Sequence, residues 1–258
     1  MDIKGKVGII TGATGGIGSQ IVNQLLENEI KFIALFDLDN VKTRKKFDDL
    51  KQIYGNRVGF FSCDVTKTAE LAENFDQVLK IYPTVDILIN NAGIIHEDEP
   101  EKMIDMNYKA VVLGSLMFIN RFGKHKGGKG GVIVNTASIA GLVNLNLPIY
   151  CSTKHAVVSF TYSMAEQYKT TGVRVVAICP GVTVTPLLDD IPRGLDFINN
   201  DRLLEPFPVQ QPDNVAKAFI KIIQKGESGD VWVSEKNEAP YSVRDVENHE
   251  DLKIEYKK

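Results

Sequence analysis

Short apolar runs alternate with longer segments of helical periodicity along most of the chain. The apolar runs predict strands over residues 6–10, 31–36, 58–63, 85–89, 132–135, 173–178 and 230–233. Between them, the spacing of apolar residues predicts helices over 19–26, 41–54, 67–81, 101–122, 148–169 and 213–225. Strands that are apolar throughout are typical of a parallel sheet whose two faces are covered by crossover helices. The alternation therefore predicts an α/β fold, a doubly wound, mostly parallel sheet of about seven strands with helices on both faces.

We expect residues 1–258 to form one domain, because no composition shift or linker interrupts the series of apolar runs. The periodicity is lost over residues 186–211, which contain prolines at 186, 192, 206 and 208. An aperiodic segment of this length inside a domain is often a lid over a substrate site, and we interpret it as one. Residues 242–258 are highly charged, which predicts a surface arm or a partner contact.

A glycine-rich turn follows the first predicted strand and precedes the first predicted helix. Gly12 permits a tight turn, Gly16 lets a phosphate approach the backbone, and Gly18 lets the helix pack closely on the strand. The free N–H groups and the dipole at the start of that helix favour a negatively charged group. In this context the turn predicts a Rossmann-type nucleotide site with the pyrophosphate at the helix N-terminus.

The second predicted strand ends at Asp37, about 20 residues beyond the turn, where dinucleotide-binding folds place an acidic residue. A carboxylate there accepts hydrogen bonds from the adenosine ribose and repels a 2′-phosphate, so it selects NAD over NADP. Asp39 competes for this role, and a loop aspartate that merely starts the next helix is the third interpretation. We favour Asp37.

The fourth predicted strand ends at Asn90, Asn91, Ala92 and Gly93. In open α/β sheets, ligands bind in the crevice outside the carboxyl ends of the strands. The two small residues let a nucleotide lie close to the backbone, and Asn90 can fix neighbouring main chain. A plain turn is the alternative interpretation.

Ser138, Tyr150 and Lys154 form the candidate catalytic group. If the segment from Pro148 onward is helical, Tyr150 and Lys154 lie at i and i+4 and project from one face. A nearby ammonium favours the phenolate and draws the pKa of the phenol down from its usual value of about 10. The hydroxyl of Ser138 can then hold a substrate oxygen. An ordinary helix start with an exposed tyrosine and lysine is the alternative.

Six motifs occur in one order along nearly the whole chain: Thr11-Gly12-x-x-x-Gly16-x-Gly18, Asn90-Asn91-Ala92-Gly93, Asn107, Ser138, Tyr150-x-x-x-Lys154 and Pro180-Gly181-x-x-x-Thr185. Together they resemble the short-chain dehydrogenase/reductase family in its compact form. Three stretches are most similar to the branch that contains 15-hydroxyprostaglandin dehydrogenase and the insect-type alcohol dehydrogenases: Tyr150-Cys151-x-x-Lys154-His155, residues 127–131 and Ile178-Cys179-Pro180-Gly181.

The resemblance implies an NAD-dependent alcohol dehydrogenase/reductase whose catalytic residues are Asn107, Ser138, Tyr150 and Lys154. It implies that Asn107 bends its helix and holds a water linking Lys154 to solvent, whereas an exposed Asn in an ordinary helix is the alternative. The implied cofactor contacts are Gly12, Thr14, Gly16, Ile17, Gly18, Asp37, Asp64, Val65, Asn90, Ala92, Gly93, Tyr150, Lys154, Pro180, Gly181, Val182, Thr183 and Thr185.

Some of these contacts have a specific part of the nucleotide assigned by the resemblance. Asp64 and its neighbour Val65 would contact the adenine, although capping of the following turn is an equally good interpretation of Asp64. Lys154 would hold the nicotinamide ribose. Thr185 and the backbone near Val182 would hold the nicotinamide carboxamide.

The resemblance also implies a homodimer or homotetramer, because family members pack the helices that correspond to 101–122 and 148–169 against their copies. The second of these helices carries a wide apolar stripe, formed by Ala156, Val157, Phe160, Met164 and Ala165. A face buried within one chain is the alternative interpretation of the stripe.

The substrate is expected to be a hydrophobic alcohol or the matching carbonyl compound, such as an aliphatic, terpenoid, steroid or fatty-acid-derived one. Two segments must border the reacting carbon if Ser138 and Tyr150 both touch it, namely 142–148 and the predicted lid. Their apolar side chains are Leu142, Val143, Leu145, Leu147, Leu187, Leu188, Ile191, Leu195 and Phe207. Arg193 and Arg202 are the charged exceptions. Ordinary core packing of these apolar residues is the alternative.

Composition argues against other classes of function. A net charge of −3 with no basic face argues against a nucleic-acid partner. No uncharged stretch approaches the roughly 18 residues of a membrane span, and the N-terminus lacks an apolar signal region, so we expect a cytoplasmic protein. Three cysteines without C-x-x-C spacing are interpreted as reduced and structural. Four histidines without ligand spacing predict no metal.

A second class of function competes with the enzyme. A nucleotide-binding protein without turnover, serving as a scaffold, storage or regulatory protein, would keep the glycine turn and the acidic residue that follows it. Nothing in nucleotide binding alone requires Ser138 and Tyr150. The presence of both favours an active oxidoreductase.

Overall fold

The computed structural model describes residues 1–190, 195 and 207–245, and within them one sheet has the strand order β3-β2-β1-β4-β5-β6-β7-β8. The strands are β1 (Val7–Thr11), β2 (Phe32–Asp37), β3 (Val58–Ser62), β4 (Ile87–Asn90), β5 (Gly131–Thr136), β6 (Val173–Pro180), β7 (Val231–Ser234) and β8 (Tyr241–Val243). All neighbouring pairs are parallel except β7 and β8, which are antiparallel. The predicted doubly wound, mostly parallel sheet is confirmed.

The sheet has one strand more than the expected seven. Strand β8 lies at the edge, with Tyr241 and Ser242 exposed, and it overlaps the start of the predicted charged arm. Its sequence carries no apolar run because neither face of this edge strand is deeply covered. The hydroxyl of Tyr241 donates to Glu235 at 2.8 Å, which ties the strand to the turn before it.

The helices are α1 (Gly16–Glu27), α2 (Val41–Tyr54), α3 (Thr68–Ile81), α4 (Pro100–Ile104), α5 (Ala110–Phe122), α6 (Pro148–Ser163), α7 (Tyr168–Thr171) and α8 (Pro212–Lys225). The predicted helix over 101–122 is interrupted, because a π-helical turn at Asp105–Lys109 separates α4 from α5. The predicted helix over 148–169 is also divided. Tight turns after Ser163 end α6, and α7 is a separate short helix.

The strands are apolar throughout because helices cover both faces of the sheet. Successive residues of a strand point to opposite faces, so Ile10 of β1 joins the cluster under α1 and α8 whereas Ile9 joins the one under α3 and α5. Phe219 on α8 and Phe118 on α5 are fully buried in these two layers. This two-sided burial explains why the strands show continuous rather than alternating apolar residues.

Strands β1 and β4 are neighbours, and the chain winds outward from them in opposite directions. Such a switch point leaves a crevice at the carboxyl ends of the two central strands. The glycine turn after β1 and the Asn90–Gly93 segment after β4 therefore meet at this edge. No helix within the described residues is long and apolar enough to cross a membrane.

Two sequence-based interpretations fall partly on residues that the structure does not describe. Residues 191–194 and 196–206 of the predicted lid and residues 246–258 of the predicted arm lie outside the described chain. The lid and the arm beyond β8 stay predictions, as do Ile191, Arg193 and Arg202 as residues near a substrate.

Candidate active site

A cleft of about 470 Å³ opens at the carboxyl ends of β1, β2, β4, β5 and β6. It brings together most of the predicted site residues, which are Gly12, Thr14, Gly16, Ile17, Gly18, Asp37, Asp64, Val65, Ala92, Gly93, Ser138, Leu147, Tyr150, Lys154, Pro180, Gly181, Val182, Thr183, Thr185, Leu187 and Leu188. Asn90, Asn107 and Val143 are not among the lining residues. The predicted residues thus converge from distant parts of the sequence on one surface.

The glycine turn is built by close backbone approaches. Gly12 has a φ of +62°, and a Cβ placed on it would lie 2.9 Å from Cα of Ala92. A Cβ on Gly18 would lie 2.1 Å from the carbonyl oxygen of Gly12, so a side chain there would break the turn. A Cβ on Gly16 would meet Cγ2 of Thr185 at 2.5 Å. Gly16 therefore allows close approach to the segment after β6.

Asp37 has its carboxylate at the cleft, where it also holds the glycine turn. One oxygen accepts hydrogen bonds from both the backbone N–H and the hydroxyl of Thr14, each at 2.8 Å. The other accepts from the N–H of Leu38 at 2.9 Å. The competing Asp39 is not among the cleft residues, because it forms a two-point ion pair with Arg44 that lowers the pKa of its carboxyl.

Asp64 caps the following turn and lies at the cleft, while its contact with the adenine stays a prediction. Its carboxylate lines the cleft and also accepts from the N–H and the hydroxyl of Thr66, at 3.0 and 2.6 Å. Partial burial alone would raise the pKa of Asp64, but the bonds from Thr66 and the charge of Lys67 outweigh burial and lower it.

Tyr150 and Lys154 lie on one face of α6, and both side chains are buried. The ammonium of Lys154 lies 5.5 Å from the centre of the Tyr150 ring and donates to the carbonyl of Thr136 at 2.9 Å. Ser138 stands just past β5, where its hydroxyl accepts from the N–H of Ala140 at 3.1 Å. Ser138 also lies close enough to the phenol of Tyr150 to influence its pKa. The three candidate catalytic side chains are therefore adjacent.

Burial dominates the protonation of this group. It raises the pKa of Tyr150 to about 12, although the nearby Ser138 hydroxyl acts in the opposite direction. It lowers the pKa of Lys154 to about 8. The expected lowering of the phenol pKa by Lys154 is thus absent from the protein alone. Burial disfavours both charged forms, so the phenolate needs a further positive charge in the cleft.

Asn107 lies in the π-helical turn behind the cleft, with no exposed surface. Its side-chain oxygen accepts from the N–H of Ile94 and its amide donates to the carbonyl of the same residue, both at 2.9 Å. The amide also donates to the hydroxyl of Thr153 at 3.3 Å. A Cβ on Gly93 would lie 3.2 Å from the Asn107 oxygen and 3.6 Å from the Lys154 ammonium. The helix was expected only to bend at Asn107, whereas the structure has a π-helical turn there; the water link to Lys154 stays a prediction.

Asn90 lies beneath the cleft rather than on it. Its amide donates to Asn135 on β5 at 2.9 Å and to the hydroxyl of Ser115 on α5 at 3.1 Å. It therefore fixes neighbouring elements, which is one of the two roles expected from the sequence. Ala92 and Gly93 line the cleft and Asn90 does not, so a direct contact between Asn90 and a cofactor stays a prediction.

The apolar residues expected near the substrate divide into two groups. Leu145, Leu147, Leu187 and Leu188 line the cleft. Val143 is 48% exposed and Leu142 packs against the core near Val157, so the structure does not bring either residue to the cleft. Leu195 and Phe207 are not among the described lining residues either.

Three residues to which sequence reasoning gave no role help to build the cleft: Asn91 lines it, and Glu97 and Gln210 are buried near it. The amide of Asn91 donates to the carbonyls of Thr11 and Gly12 at 3.2 and 3.1 Å, joining the end of β4 to the glycine turn. The Asn-Asn pair after β4 was a signal that could have identified Asn91. Neither Glu97 nor Gln210 has a comparable local signal.

Gln210 is fully buried and fixes the segment after β6. Its backbone forms a short parallel bridge with Thr183, through bonds to Val182 and Val184 at 2.9 and 3.0 Å. Its side-chain amide donates to the hydroxyl of Thr183 at 3.3 Å and to the carbonyl of Ser234. Its side-chain oxygen accepts from Asn214 at 2.8 Å. The segment that lines one end of the cleft is thereby tied to β7 and α8.

The described residues contain no cluster of three or more His, Cys, Asp or Glu side chains that could hold a metal ion. All three cysteines, at positions 63, 151 and 179, are buried and unpaired. Burial raises the pKa of Cys63 and of Cys179 to about 12, which makes both poor nucleophiles.

A family model described as short chain dehydrogenase matches residues 6–196, a span that runs from β1 past the segment after β6. The chain belongs to the short-chain dehydrogenase family. It is 36% identical over 237 residues to 15-hydroxyprostaglandin dehydrogenase [NAD(+)] of Homo sapiens, covering 87% of this chain and 88% of the relative. The Rattus norvegicus protein of the same name is 32% identical over the same shares. The family resemblance seen in the sequence is confirmed.

Solved structures of other short-chain dehydrogenases share the fold. A 3-ketoacyl-(acyl-carrier-protein) reductase from Brucella melitensis, complexed with NADH, matches with a TM-score of 0.77 and 27% identity, covering 90% of this chain and 98% of that one. A short-chain dehydrogenase/reductase from Mycobacterium marinum matches with a TM-score of 0.79 at 24% identity, covering 91% and 95%, which shows the fold alone.

Replacing Gln210 by leucine should lower the free energy of unfolding by about 2–4 kcal/mol, because it leaves several buried polar partners without hydrogen bonds. Urea unfolding followed by circular dichroism measures the change. Gln211→Leu is the matched control, since Gln211 is exposed and its side chain makes no cap bond at the start of α8. Equal stabilities of the two variants would contradict the role assigned to Gln210.

Proposed function

We propose that this short-chain dehydrogenase transfers a hydride between NAD and a hydrophobic alcohol or its carbonyl product, and that residues 1–258 form one domain carrying both sites. The observation that carries the proposal is the cleft itself, in which a glycine turn and Asp37 lie at one end and Ser138, Tyr150 and Lys154 at the other. A storage or scaffold protein has no need of the second set. The position of Ser138, Tyr150 and Lys154 beside the nucleotide residues favours an enzyme.

The residues at the cleft fit a dinucleotide. The turn leaves no room for side chains at Gly12 and Gly18, and the start of α1 presents backbone N–H groups suited to a pyrophosphate. Gly15 precedes this helix without any side-chain cap, so no residue competes for those groups. The carboxylate of Asp37 stands at the ribose position and disfavours a 2′-phosphate. Bound NAD would supply the hydride acceptor and a positive charge.

Tyr150 is the proton acceptor for an alcohol held in the cleft. Ser138 donates or accepts a hydrogen bond at the same substrate oxygen, because its hydroxyl already lies beside the phenol. Lys154 keeps a cation next to the ring and is itself fixed by the Thr136 carbonyl. As the alcohol proton passes to the Tyr150 oxygen, the nearby ammonium stabilises the phenolate state from which the transfer begins. In the reverse direction the phenol returns the proton to a carbonyl oxygen.

The substrate end of the cleft binds through apolar contact. Leu145, Leu147, Leu187 and Leu188 surround the region beyond Tyr150, with Ile95 and Met106 also in the lining. Pockets of this kind gain affinity mainly by removing apolar surface from water. An aliphatic, terpenoid, steroid or fatty-acid-derived alcohol therefore fits better than a sugar or a small hydroxy acid.

We also infer that the protein forms a homodimer or homotetramer. Val112, Leu113, Leu116 and Met117 on α5 are only partly covered within one chain, and Leu116 is 41% exposed. Ala156 and Phe160 on α6 and Met164 just after it are likewise partly covered, whereas Val157 is buried within the chain. A second copy would cover these two helix faces. The cytoplasmic location expected from the sequence stays a prediction.

NAD should bind at least about tenfold more tightly than NADP, a difference of about 1.4 kcal/mol, because the Asp37 carboxylate meets the 2′-phosphate. Fluorescence titration with NADH and NADPH measures both affinities directly. Asp37→Asn should narrow the ratio, whereas Asp39→Asn should leave it unchanged, since Asp39 lies off the cleft beside Arg44. Equal binding of the two cofactors by the unmodified protein would show that Asp37 does not face the ribose.

Tyr150→Phe should lower kcat by about 10²- to 10⁴-fold while leaving the affinity for NAD nearly unchanged, because only the proton acceptor is lost. Lys154→Ala should lower both kcat and the affinity for NAD, since the cation lines the cofactor half of the cleft as well. NADH absorbance with a secondary alcohol gives kcat, and the titration above gives affinity. Tyr162→Phe is the control on the same helix, because its hydroxyl has no hydrogen-bond partner in the described chain. Retained turnover in Tyr150→Phe would refute the assignment.

A series of secondary alcohols of increasing chain length should show kcat/KM rising several-fold per added methylene before it levels, at roughly 0.8 kcal/mol per buried CH₂. Steady-state rates of NADH formation give each value. Leu187→Ala should flatten the series, and Val143→Ala should not, because Val143 lies outside the cleft. A flat or falling series for the unmodified protein would mean that the apolar side chains do not contact the substrate.

A further inference from the structure

Glu97 is a carboxylate buried beside the catalytic helix. It follows β4 on the connection to α4, and only 1% of its surface is exposed. One carboxylate oxygen accepts from the backbone N–H of Tyr150 at 2.8 Å, and the other accepts from that of Ile149 at 3.0 Å. Neither the proton path nor the cofactor contacts described above use this residue.

These two bonds complete the first turn of α6. The first residues of a helix have N–H groups without partners in the helix. Pro148 has no N–H, and Cys151 donates to the carbonyl of Leu147 at 2.8 Å. Leu147 precedes the helix and has no side chain that could cap it. A residue some 50 positions earlier in the chain therefore provides the cap, and the helix dipole favours its negative charge.

A second connection joins the same two segments on the other side of Tyr150. The hydroxyl of Thr153 donates to the carbonyl of Tyr150 at 2.8 Å and accepts from the amide of Asn107 at 3.3 Å. Asn107 in turn holds both polar groups of the Ile94 backbone. The segment from Ile94 to Glu97 is thus fixed to α6 through two independent routes, one at the N–H and one at the carbonyl of Tyr150.

This closed ring of bonds sets where the Tyr150 backbone lies relative to the carboxyl end of β4. The cleft is formed partly by Gly93, Ile94 and Ile95 from that end, so a shift of α6 would move the phenol against the substrate. The Asn107 route alone leaves the N–H groups of the first turn of α6 free. The Glu97 route removes that freedom because it holds two consecutive N–H groups.

We propose that Glu97 is a positioning residue for catalysis, which holds the first turn of α6 so that the Tyr150 hydroxyl meets the reacting oxygen. The inference rests on the proposed function, since it assigns a task to Tyr150. It differs from a merely structural role in one respect. A structural role predicts a loss of stability alone, whereas positioning predicts a loss of kcat in protein that is fully folded.

Glu97→Gln is the direct test. The amide keeps one carbonyl acceptor but turns an NH₂ group toward a backbone N–H, so one of the two bonds is lost. We expect kcat for the most active secondary alcohol to fall by about 10- to 100-fold, as a displacement of about 1 Å at a reacting group does. The dissociation constant for NADH should stay within about threefold, because the cofactor contacts are separate. Glu97→Asp keeps the charge with a shorter reach, and its kcat should lie between that of the wild type and that of Glu97→Gln.

Asp86→Asn is the matched control at the opposite end of β4. Its carboxylate also accepts a backbone N–H, that of Val7 at 3.0 Å, but on the edge of the sheet away from the cleft. The Asp86→Asn variant should lose stability to urea as Glu97→Gln does, and its kcat should stay at the wild-type value. In protein without cofactor, hydrogen exchange read by mass spectrometry should speed up at 149–150 in Glu97→Gln and stay unchanged there in Asp86→Asn.

A wild-type kcat in folded Glu97→Gln would overturn the proposal. If that variant does not fold, Glu97→Asp takes its place, and a wild-type kcat there has the same meaning. Tyr150→Phe separates this failure from a failure of the proposed function. Full activity in Tyr150→Phe removes the function itself, whereas an inactive Tyr150→Phe beside a fully active Glu97→Gln removes only the role of Glu97.

Discussion

The ammonium of Lys154 is buried beside a buried phenol, and the rest of the site is arranged around that pair. Burial lowers the pKa of Lys154 to about 8 and raises the pKa of Tyr150 to about 12, so the protein alone keeps the phenol protonated. A positive charge entering the cleft favours the phenolate of Tyr150, and the phenolate, once formed, favours the ammonium of Lys154. Because each ionisation then favours the other, the pair titrates as a unit. Tyr150, the proposed proton acceptor, would therefore ionise more readily when a cation fills the cleft.

Such a pair functions only in a fixed geometry, and side-chain amides at the carboxyl edge of the sheet supply it. Asn90, Asn91, Asn107 and Gln210 each bond to groups of a neighbouring element rather than of their own. Displacing one element would break bonds of this kind, and leaving a buried amide unpaired is costly. The carboxyl edge of the sheet is consequently held as one frame. The residues of the cleft at this edge are therefore positioned by bonds between elements.

The features that could be predicted from the sequence are those that a local pattern of residues determines. Continuous apolar runs identified β1 to β7, and spacing alone placed Tyr150 and Lys154 on one helix face. Strand β8 was missed because it has no apolar pattern. Glu97 and Gln210 were missed because their partners lie tens of residues away in the chain, and nothing in their own neighbourhood indicates them. Val143 was placed at the substrate from its position between two site residues, yet the chain turns it outward.

Asp37 shows why some site residues serve two purposes at once. Both of its oxygens are already hydrogen-bonded, one to Thr14 and the other to Leu38. The ammonium of Lys46 donates to the carbonyl of Thr14, so this residue is held by an anion at its N–H and by a cation at its carbonyl. A carboxylate has about four lone-pair sites, and three are in use here, which leaves capacity for a ribose hydroxyl. The residue proposed to distinguish NAD from NADP thus also holds the glycine turn, because one carboxylate at the end of β2 reaches both the turn and the cleft.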